Sequence, residues 1–308
     1  MAEMSLSGVF APIPTPFDER DEIDLARLRA ALARWLATPL AGFVVLGSNG
    51  EAPLLDEDES DRVVAAARDV VPRGRTFIVG TGRESTRATA AAARRAATLG
   101  ADAVLVRTPG FFKAQMTADA FVQHYHAVAD ASPVPILLYN FTAVTGVTLP
   151  IGAVAVLSRH PNIVGMKESG GDALRIGELS AATPDDFDVL AGSASTLHAS
   201  LCVGATGGIL ALGLVAPEAC VRLFELTRAG RHDQARALQE RLLPLAKLLG
   251  STYGVPGLKA ALRLVGCDTG WPRPPLRPLD PVAVTQVADA LSSFDAAAVQ
   301  DPPRAYVS

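Results

Sequence analysis

The sequence lacks the features that mark membrane-spanning, nucleic-acid-binding and secreted proteins. Its 308 residues contain no apolar stretch long enough to cross a bilayer and no run of basic residues, and the formal net charge is −4. The first eight residues carry neither the basic segment nor the apolar segment of a secretory signal. These absences favour a cytoplasmic protein whose partner is a small molecule, with no nucleic acid and no membrane involved.

Cysteine and nucleotide-binding motifs are also scarce. The three cysteines, Cys202, Cys220 and Cys267, are odd in number and show no C-x-x-C spacing. Reduced thiols therefore fit them better than a disulfide framework or a zinc site. No G-x-G-x-x-G opens a first helix and no G-x-x-x-x-G-K-[ST] loop is present, which weakens the case for a doubly wound nucleotide-binding sheet.

Lysine is scarce as well, so each of the few lysines is a candidate for amine chemistry. Arginine supplies nearly all of the positive charge, and the only lysines are Lys113, Lys167, Lys247 and Lys259. Lys167 comes at the end of a short apolar segment and just before Gly170 and Gly171, so it lies where a strand ends. A buried ammonium group tends to lose its proton, and a neutral amine attacks carbonyl carbons. The alternative is a lysine that only extends from a strand end into solvent.

The chain alternates short apolar segments with amphipathic segments of helical period. The predicted strands are at residues 8–13, 42–46, 76–80, 103–106, 135–139, 163–167, 188–191 and 207–212. The helical segments that follow them are at 25–36, 57–70, 85–99, 118–130, 151–158, 173–182, 195–203 and 217–228. Eight β/α units in about 230 residues predict an α/β fold of the (β/α)8 TIM barrel type, whose parallel strands are buried on both faces.

The pattern changes after residue 230. Three further helices are predicted at 232–249, 257–265 and 281–291, and a proline-rich connection at 272–278 precedes the last of them. We therefore expect a barrel over residues 1–230 and a C-terminal helical appendage over residues 231–308 that packs on it. The last residues, from about 298, are expected to be frayed.

Polar residues fall at the predicted carboxyl ends of the strands, where barrels of this type place their chemistry. The second strand runs into Gly-Ser-Asn-Gly-Glu at residues 47–51, the fifth ends at Tyr139, the sixth ends at Lys167, and Gly192 and Ser193 follow the seventh. The glycine-rich segment offers free N–H groups suited to a carboxylate, with an ordinary turn as the alternative. Tyr139 is placed for proton transfer near the amine, with a core tyrosine as the alternative.

The histidines give no metal site. His124 and His126 are two residues apart on a predicted helix, which directs them to different faces, so we interpret both as structural. No other cluster of His, Asp and Glu has a ligand spacing, and the sequence therefore predicts no metal-dependent aldolase.

Several of these segments resemble one protein family. The motifs that carry the resemblance are Thr15-Pro16-Phe17, residues 47–51, Tyr139-Asn140, residues 165–169, Gly192-Ser193 and Gly207-Gly208. They resemble the dihydrodipicolinate synthase and N-acetylneuraminate lyase family of pyruvate-dependent class I aldolases, and the resemblance covers most of the chain. The segments that look most like 4-hydroxy-2-oxoglutarate aldolase within this family are 42–51, 162–172, 175–177 and 254–259.

The resemblance implies a role for each matching residue. Lys167 would form a Schiff base with a 2-oxo acid, and Tyr139 would be the acid/base phenol. Ser48 and Asn49 would bind the carboxylate of the 2-oxo acid. The residues that would line the pocket are Ser169, Gly192 and Ile209.

The implied reaction cleaves a 4-hydroxy-2-oxo acid, most closely 4-hydroxy-2-oxoglutarate, to pyruvate and an aldehyde, here glyoxylate. It requires no metal and no organic cofactor. The family also implies a homo-oligomer, either a tetramer or a dimer. The alternatives are a dihydrodipicolinate synthase, a 2-keto-3-deoxy sugar acid aldolase or dehydratase, and a non-catalytic barrel that binds 2-oxo acids.

Two positions depart from the family pattern. Phe111-Phe112 replaces a tyrosine pair whose second member, in many relatives, reaches the site of a neighbouring subunit. Val144 replaces the arginine with which dihydrodipicolinate synthases hold the carboxylate of their second substrate. A carboxylate placed against valine loses a charge-assisted contact worth about 1–3 kcal/mol, so aspartate semialdehyde is disfavoured. The residues available to bind the aldehyde instead are Ser169, Asn140, Thr142 and Arg107.

Overall fold

A closed barrel of eight parallel strands forms the centre of the molecule. The computed structural model describes residues 6–298. The strands are β1 Gly8–Pro12, β2 Gly42–Val45, β3 Thr76–Gly80, β4 Ala103–Arg107, β5 Ile136–Asn140, β6 Ile163–Glu168, β7 Asp188–Ala191 and β8 Gly207–Ile209. Each strand pairs with its neighbours in chain order, and β8 pairs with β1. The predicted (β/α)8 TIM barrel is therefore confirmed.

Helices surround this barrel and continue beyond it. They are α1 Leu25–Leu36, α2 Glu57–Val70, α3 Thr86–Thr98, α4 Ala118–Ala131, α5 Thr142–Thr145, α6 Ile151–Leu157, α7 Ala173–Ala182, α8 Leu197–Cys202, α9 Pro217–Arg228, α10 His232–Lys247, α11 Gly254–Leu264 and α12 Pro281–Ala298. Short α5 was not predicted, and β8 is shorter than predicted because Ala211–Leu214 forms a 3-10 turn. Within residues 6–298, no helix has both the length and the apolar character that crossing a bilayer requires.

Side-chain caps start six of these helices. An oxygen of each capping side chain accepts a hydrogen bond from an N–H group in the first turn, which otherwise has no partner. The capping residues are Asp24, Asp56, Ser85, Thr117, Asp172 and Asp280. Each such cap contributes about 1 kcal/mol and depends only on neighbouring residues. The starts of these helices could therefore be read closely from the sequence.

Successive residues of each strand face opposite sides of the sheet, and this separates the core into two parts. In β5, Leu137 and Tyr139 belong to a cluster inside the barrel, whereas Ile136 and Leu138 belong to the layer between strands and helices. The inner cluster also contains Ile209 of β8. Tyr139 is therefore held by packing inside the barrel, close to the carboxyl end of its strand.

The helices after residue 230 share the outer core. Buried side chains of α10, α11 and α12, such as Leu242, Leu258 and Val287, belong to the same cluster as the outward faces of the strands. The division into a barrel at 1–230 and an appendage at 231–308 stays a prediction. Helix α12 runs to Ala298, and the predicted fraying beyond it lies outside the described residues, as do residues 1–5 of the N-terminal segment.

The two histidines of α4 have different neighbours, as their spacing predicted. His124 is buried, and its Nδ1 lies 2.9 Å from the hydroxyl oxygen of Thr86. His126 is partly exposed, and its ring centroid lies 5.5 Å from that of His160. Burial lowers the pKa of His124 from 6.5 to about 4, so the ring is neutral in the folded protein near neutral pH.

This burial makes the folded state sensitive to acid. The unfolded chain titrates His124 near 6.5 and the folded chain near 4, so between these values the unfolded state binds more protons. The free energy of unfolding should therefore fall as the pH falls through this range, by up to about 3 kcal/mol. We expect His124→Gln to remove this part of the loss, as measured by urea unfolding at about pH 7.5 and about pH 4.5.

The control is His126→Gln, which changes the partly exposed histidine of the same helix. The quantity compared is the difference in unfolding free energy between the two pH values, so any constant cost of the substitution cancels. Equal acid sensitivity in His124→Gln and the unsubstituted protein would contradict the prediction.

Candidate active site

Lys167 and Tyr139 lie side by side on neighbouring strands at the carboxyl end of the barrel. They are register partners in the pairing of β5 with β6. Lys167 is 5% exposed, its Nζ lies 3.5 Å from the Tyr139 hydroxyl oxygen, and the same Nζ lies 4.5 Å from the centre of the phenol ring. A buried amine next to a phenol can form an imine with a carbonyl compound while the phenol exchanges protons with it.

Ser48 extends this pair to a third strand. Its hydroxyl oxygen lies 3.2 Å from that of Tyr139, within hydrogen-bond distance. Ser48 begins the 3-10 turn Ser48–Gly50, which follows β2, and Asn49 is the next residue of the same turn and is partly exposed. The structure therefore brings Lys167, Tyr139 and Ser48 together in one row of contacts.

Ser169 and Gly192 fit against each other beside this row. The Ser169 hydroxyl oxygen is buried and has no hydrogen-bond partner among the described residues. A Cβ atom added at Gly192 would lie 2.0 Å from that oxygen, so only glycine leaves room for it. Ile209, the third predicted lining residue, is fully buried in the inner cluster that also contains Tyr139. The roles assigned to these residues stay predictions.

A buried polar network fixes the strand ends that carry Lys167 and Tyr139. The sequence did not reveal this network. Both carboxylate oxygens of Glu168 accept hydrogen bonds from the Asn140 side-chain amide, at 3.1 and 2.9 Å. The Arg175 Nε forms an ion pair with Glu168 at 2.8 Å, and the Gly170 N–H donates to it at 2.8 Å. Glu168, the residue after Lys167, therefore has hydrogen-bond partners on both carboxylate oxygens. Through them it links β5, β6 and α7.

A second buried ion pair anchors the turn that carries Ser48. Glu51 Oε1 lies 2.6 Å from Lys259 Nζ, and both side chains are almost completely buried. Lys259 also donates to the carbonyl oxygens of Thr15 and Trp271, each at 2.8 Å. Burial raises the pKa of the Glu51 carboxyl and lowers that of the Lys259 ammonium, and each charge opposes the shift of the other.

Glu51 therefore does not belong with Ser48 as a substrate-binding group, although the two are part of one motif. The Glu51 residue itself adopts a left-handed backbone conformation, with φ at 56°, that directs its side chain toward α11. The scarcity of lysine singled out Lys259 in the sequence, but nothing local could identify its partner.

The four residues available to bind an aldehyde differ in how free they are. Asn140 is engaged with Glu168, and Arg107 forms an ion pair with Glu84 at 2.7 Å. The Thr142 hydroxyl lies 2.8 Å from that of Thr148. Ser169 alone of the four has a buried hydroxyl with no partner among the described residues.

The two departures from the family pattern are exposed, one on a loop and one on a short helix. Phe111 and Phe112 are 77% and 67% exposed, and their rings meet edge to face with centroids 5.0 Å apart. Val144 lies on α5 and is 60% exposed. The loop that carries the phenylalanines is held by Glu84, which accepts the N–H groups of Gly110 and Phe111.

A (β/α)8 barrel carries its chemistry at the carboxyl ends of its strands, and the buried Lys167 lies beside Tyr139 at this end. The chain belongs to the dihydrodipicolinate synthetase family, whose model matches residues 5–294. The family indicated by the sequence motifs and the lyase class are thereby confirmed.

Two relatives are named for different activities. A 4-hydroxy-tetrahydrodipicolinate synthase of an Exiguobacterium species is 33% identical over 94% of this chain and 98% of its own. A probable mitochondrial 4-hydroxy-2-oxoglutarate aldolase of Emericella nidulans is 36% identical over 88% of each chain. One similar solved structure is that of YagE, a prophage protein of E. coli K12 that belongs to the dihydrodipicolinic acid synthase family and was solved in complex with pyruvate. The two structures superpose with a TM-score of 0.88 at 27% sequence identity, over 94% of this chain and 99% of the YagE chain.

The Glu51–Lys259 pair generates a prediction about stability. Lys259→Met removes the ammonium and leaves a buried carboxylate without its main partner, which typically costs about 3–5 kcal/mol. We expect a loss of this size in the free energy of unfolding, measured by urea denaturation at neutral pH. The double variant Glu51→Gln/Lys259→Met should recover part of it, because the remaining side chain is uncharged.

Lys247→Met is the matched control, because Lys247 is exposed at the end of α10. That substitution should change the free energy of unfolding by less than about 0.5 kcal/mol. If the Lys259→Met and Lys247→Met variants had the same free energy of unfolding, the buried ion pair would contribute nothing to stability and the interpretation of Lys259 would be wrong.

Proposed function

We propose that this protein is a pyruvate-dependent class I aldolase that cleaves 4-hydroxy-2-oxoglutarate to pyruvate and glyoxylate through a Schiff base on Lys167. The observation that carries the proposal is the row of contacts at the mouth of the barrel. The Lys167 amine lies 3.5 Å from the Tyr139 hydroxyl, which lies 3.2 Å from that of Ser48. One group can thus bond to a carbonyl carbon while its neighbour moves a proton.

The reaction follows from these positions. Lys167, as the free amine, attacks the 2-oxo carbon, and loss of water leaves a protonated imine that withdraws electrons from the neighbouring carbons. Tyr139 gives its own proton to the hydroxyl that leaves as water during imine formation. The phenolate so formed accepts the proton of the 4-hydroxyl group as the C3–C4 bond breaks and the aldehyde leaves. The electron pair of that bond forms an enamine, which is protonated at C3 and hydrolysed to pyruvate, regenerating the amine. No metal or organic cofactor takes part.

Two groups of residues would hold the substrate. Ser48 and Asn49 lie in a tight turn after β2, where a hydroxyl and free backbone N–H groups suit the carboxylate beside the 2-oxo carbon. Ser169 offers a buried hydroxyl without a partner among the described residues. A polar group of the substrate that reached Ser169 would satisfy it, and Gly192 leaves the room that the Ser169 hydroxyl itself occupies.

The choice of second product rests on Val144. An exposed valine cannot form the charge-assisted contact that an arginine gives to a second carboxylate, and this weighs against condensation with aspartate semialdehyde. The relative from Emericella nidulans supports the oxoglutarate aldolase. The relative from Exiguobacterium favours the second candidate, 4-hydroxy-tetrahydrodipicolinate synthase.

The same proposal includes assembly into a homo-oligomer, either a dimer or a tetramer. Phe111 and Phe112 support it, because two adjacent, largely exposed phenylalanine rings would be better placed in a contact with another subunit than in water.

Covalent trapping tests the role of Lys167. Incubation with pyruvate and borohydride should add one reduced pyruvyl group to Lys167, located by mass spectrometry of peptides, because the imine is reduced to a stable amine. Lys113 and Lys247 are exposed and Lys259 is engaged with Glu51, so these lysines serve as internal controls. A label on any of them in place of Lys167, or no label, would overturn the Schiff-base assignment.

Tyr139→Phe is the matched variant in this experiment, because it removes one oxygen and keeps the ring. Trapping should persist while turnover falls by about 10²- to 10⁴-fold, the usual scale for a lost acid/base group. Equal loss of both would mean that the phenol only shapes the pocket.

A substrate panel tests the particular reaction. We expect 4-hydroxy-2-oxoglutarate to be cleaved with a higher kcat/KM than 2-keto-3-deoxy sugar acids or N-acetylneuraminate, measured as pyruvate release. Condensation of pyruvate with aspartate semialdehyde should be negligible. A Val144→Arg variant that gained this condensation would confirm that the missing arginine is the reason.

Efficient condensation by the unsubstituted protein would instead favour the synthase, with Schiff-base chemistry unchanged. Trapping without turnover on any member of the panel would favour the binding barrel.

A further inference from the structure

A cluster of two histidines and a cysteine lies on the surface between α8 and α10. His198 and Cys202 are four residues apart on α8 and so lie on the same face of that helix, and His232 begins α10. The His198 Nε2 lies 3.3 Å from the His232 Nδ1, and the Cys202 Sγ lies 3.8 Å from the same nitrogen. All three possible ligand atoms lie within 4.8 Å of one another.

These separations fit tetrahedral coordination. With Zn–N bonds of about 2.0–2.1 Å and a Zn–S bond of about 2.3 Å, adjacent ligands of a tetrahedral ion lie about 3.3 Å apart for two nitrogens and about 3.6 Å apart for nitrogen and sulfur. Each separation taken singly also fits a hydrogen bond to the His232 Nδ1. The convergence of a second imidazole and a thiol on this nitrogen, with all three ligand atoms within 4.8 Å of one another, is the arrangement that a tetrahedral ion needs.

The surrounding contacts hold the two helices in place without an ion. The Gln239 side chain of α10 accepts a hydrogen bond from the backbone N–H of His198 at 3.1 Å and donates one to the Ala194 carbonyl at 2.9 Å. Leu201 of α8 and Leu242 of α10 are buried in the shared outer core. The ligands are therefore largely arranged in advance, which lowers the ordering cost of binding.

We propose that His198, Cys202 and His232 form a binding site for a transition-metal ion, with Zn²⁺ as the expected occupant and water in the fourth position. Imidazole and thiolate ligands select such ions over Mg²⁺ and Ca²⁺, which prefer oxygen. Cys202 and His232 are exposed, so an ion can enter from solvent, and binding releases the thiol proton to it. No local pattern in the sequence marks this site, because His232 is brought to the other two residues only by packing of the helices.

The site would connect the barrel to the C-terminal helices. Helix α8 follows β7 and Gly192, whereas α10 begins the segment after residue 230. An ion bound by both would stabilise their contact and raise the midpoint of thermal unfolding, because it binds the folded chain in preference to the unfolded one. It would take no part in the chemistry at Lys167.

Cobalt titration tests the site directly. The full chain is first treated with a chelator and then titrated with Co²⁺, whose thiolate complexes absorb in the near ultraviolet and whose tetrahedral complexes absorb in the visible. We expect both bands to saturate at one ion per chain and to vanish when Zn²⁺ is added. Cys202→Ser should abolish the near-ultraviolet band, and His232→Ala should weaken binding by at least about tenfold.

The matched control is Cys267→Ser, which changes a buried cysteine outside the cluster. It should keep both bands. Absence of the bands at stoichiometric Co²⁺, or a near-ultraviolet band that persists in Cys202→Ser, would overturn the proposal.

A second measurement does not depend on cobalt. Cys202 is the one exposed cysteine of the three, so a thiol reagent should modify it first. Stoichiometric Zn²⁺ should slow this modification by at least about tenfold in the unsubstituted protein and have little effect in His232→Ala. An equal rate with and without Zn²⁺ would also overturn the proposal.

Discussion

Closure of the sheet is the constraint on which the site depends. Pairing of β8 with β1 turns eight parallel strands into a ring, so that all their carboxyl ends meet at one mouth. The closing seam is tight, because a Cβ atom at Gly207 would lie 2.3 Å from the carbonyl oxygen of Gly8. Closure places Lys167 of β6, Tyr139 of β5 and the turn after β2 within reach of one another, although they come from distant parts of the sequence.

Buried charge fixes the two sides of this mouth. Glu168 joins β5, β6 and α7, and Glu51 joins the turn after β2 to α11. Taking such charges out of water is costly, and a buried pair often adds little net stability compared with apolar side chains. Such a pair instead fixes the relative positions of the elements that supply its donors, because a buried carboxylate keeps its hydrogen bonds in few other arrangements. The two networks thus fix the backbone segments that carry Ser48, Tyr139 and Lys167.

The helix layer carries features that are separate from the mouth. The loop with Phe111-Phe112 and the short helix with Val144 are exposed, so changes there can alter what approaches the site without disturbing the barrel core. On another part of the surface, α8 and α10 bring His198 and His232 together.

The sequence determined the elements and the residues at their ends, because apolar period, helix caps and strand-end position are local properties. Lys167, Tyr139 and Ser48 could be predicted for this reason, with a family resemblance to suggest their roles. Only the tertiary structure decided which distant groups meet. Lys259 contacts the Thr15 carbonyl across 244 residues, and His198 meets His232 across 34. Such contacts depend on how helices pack around a closed barrel, and packing is a property of the whole chain that no local pattern records.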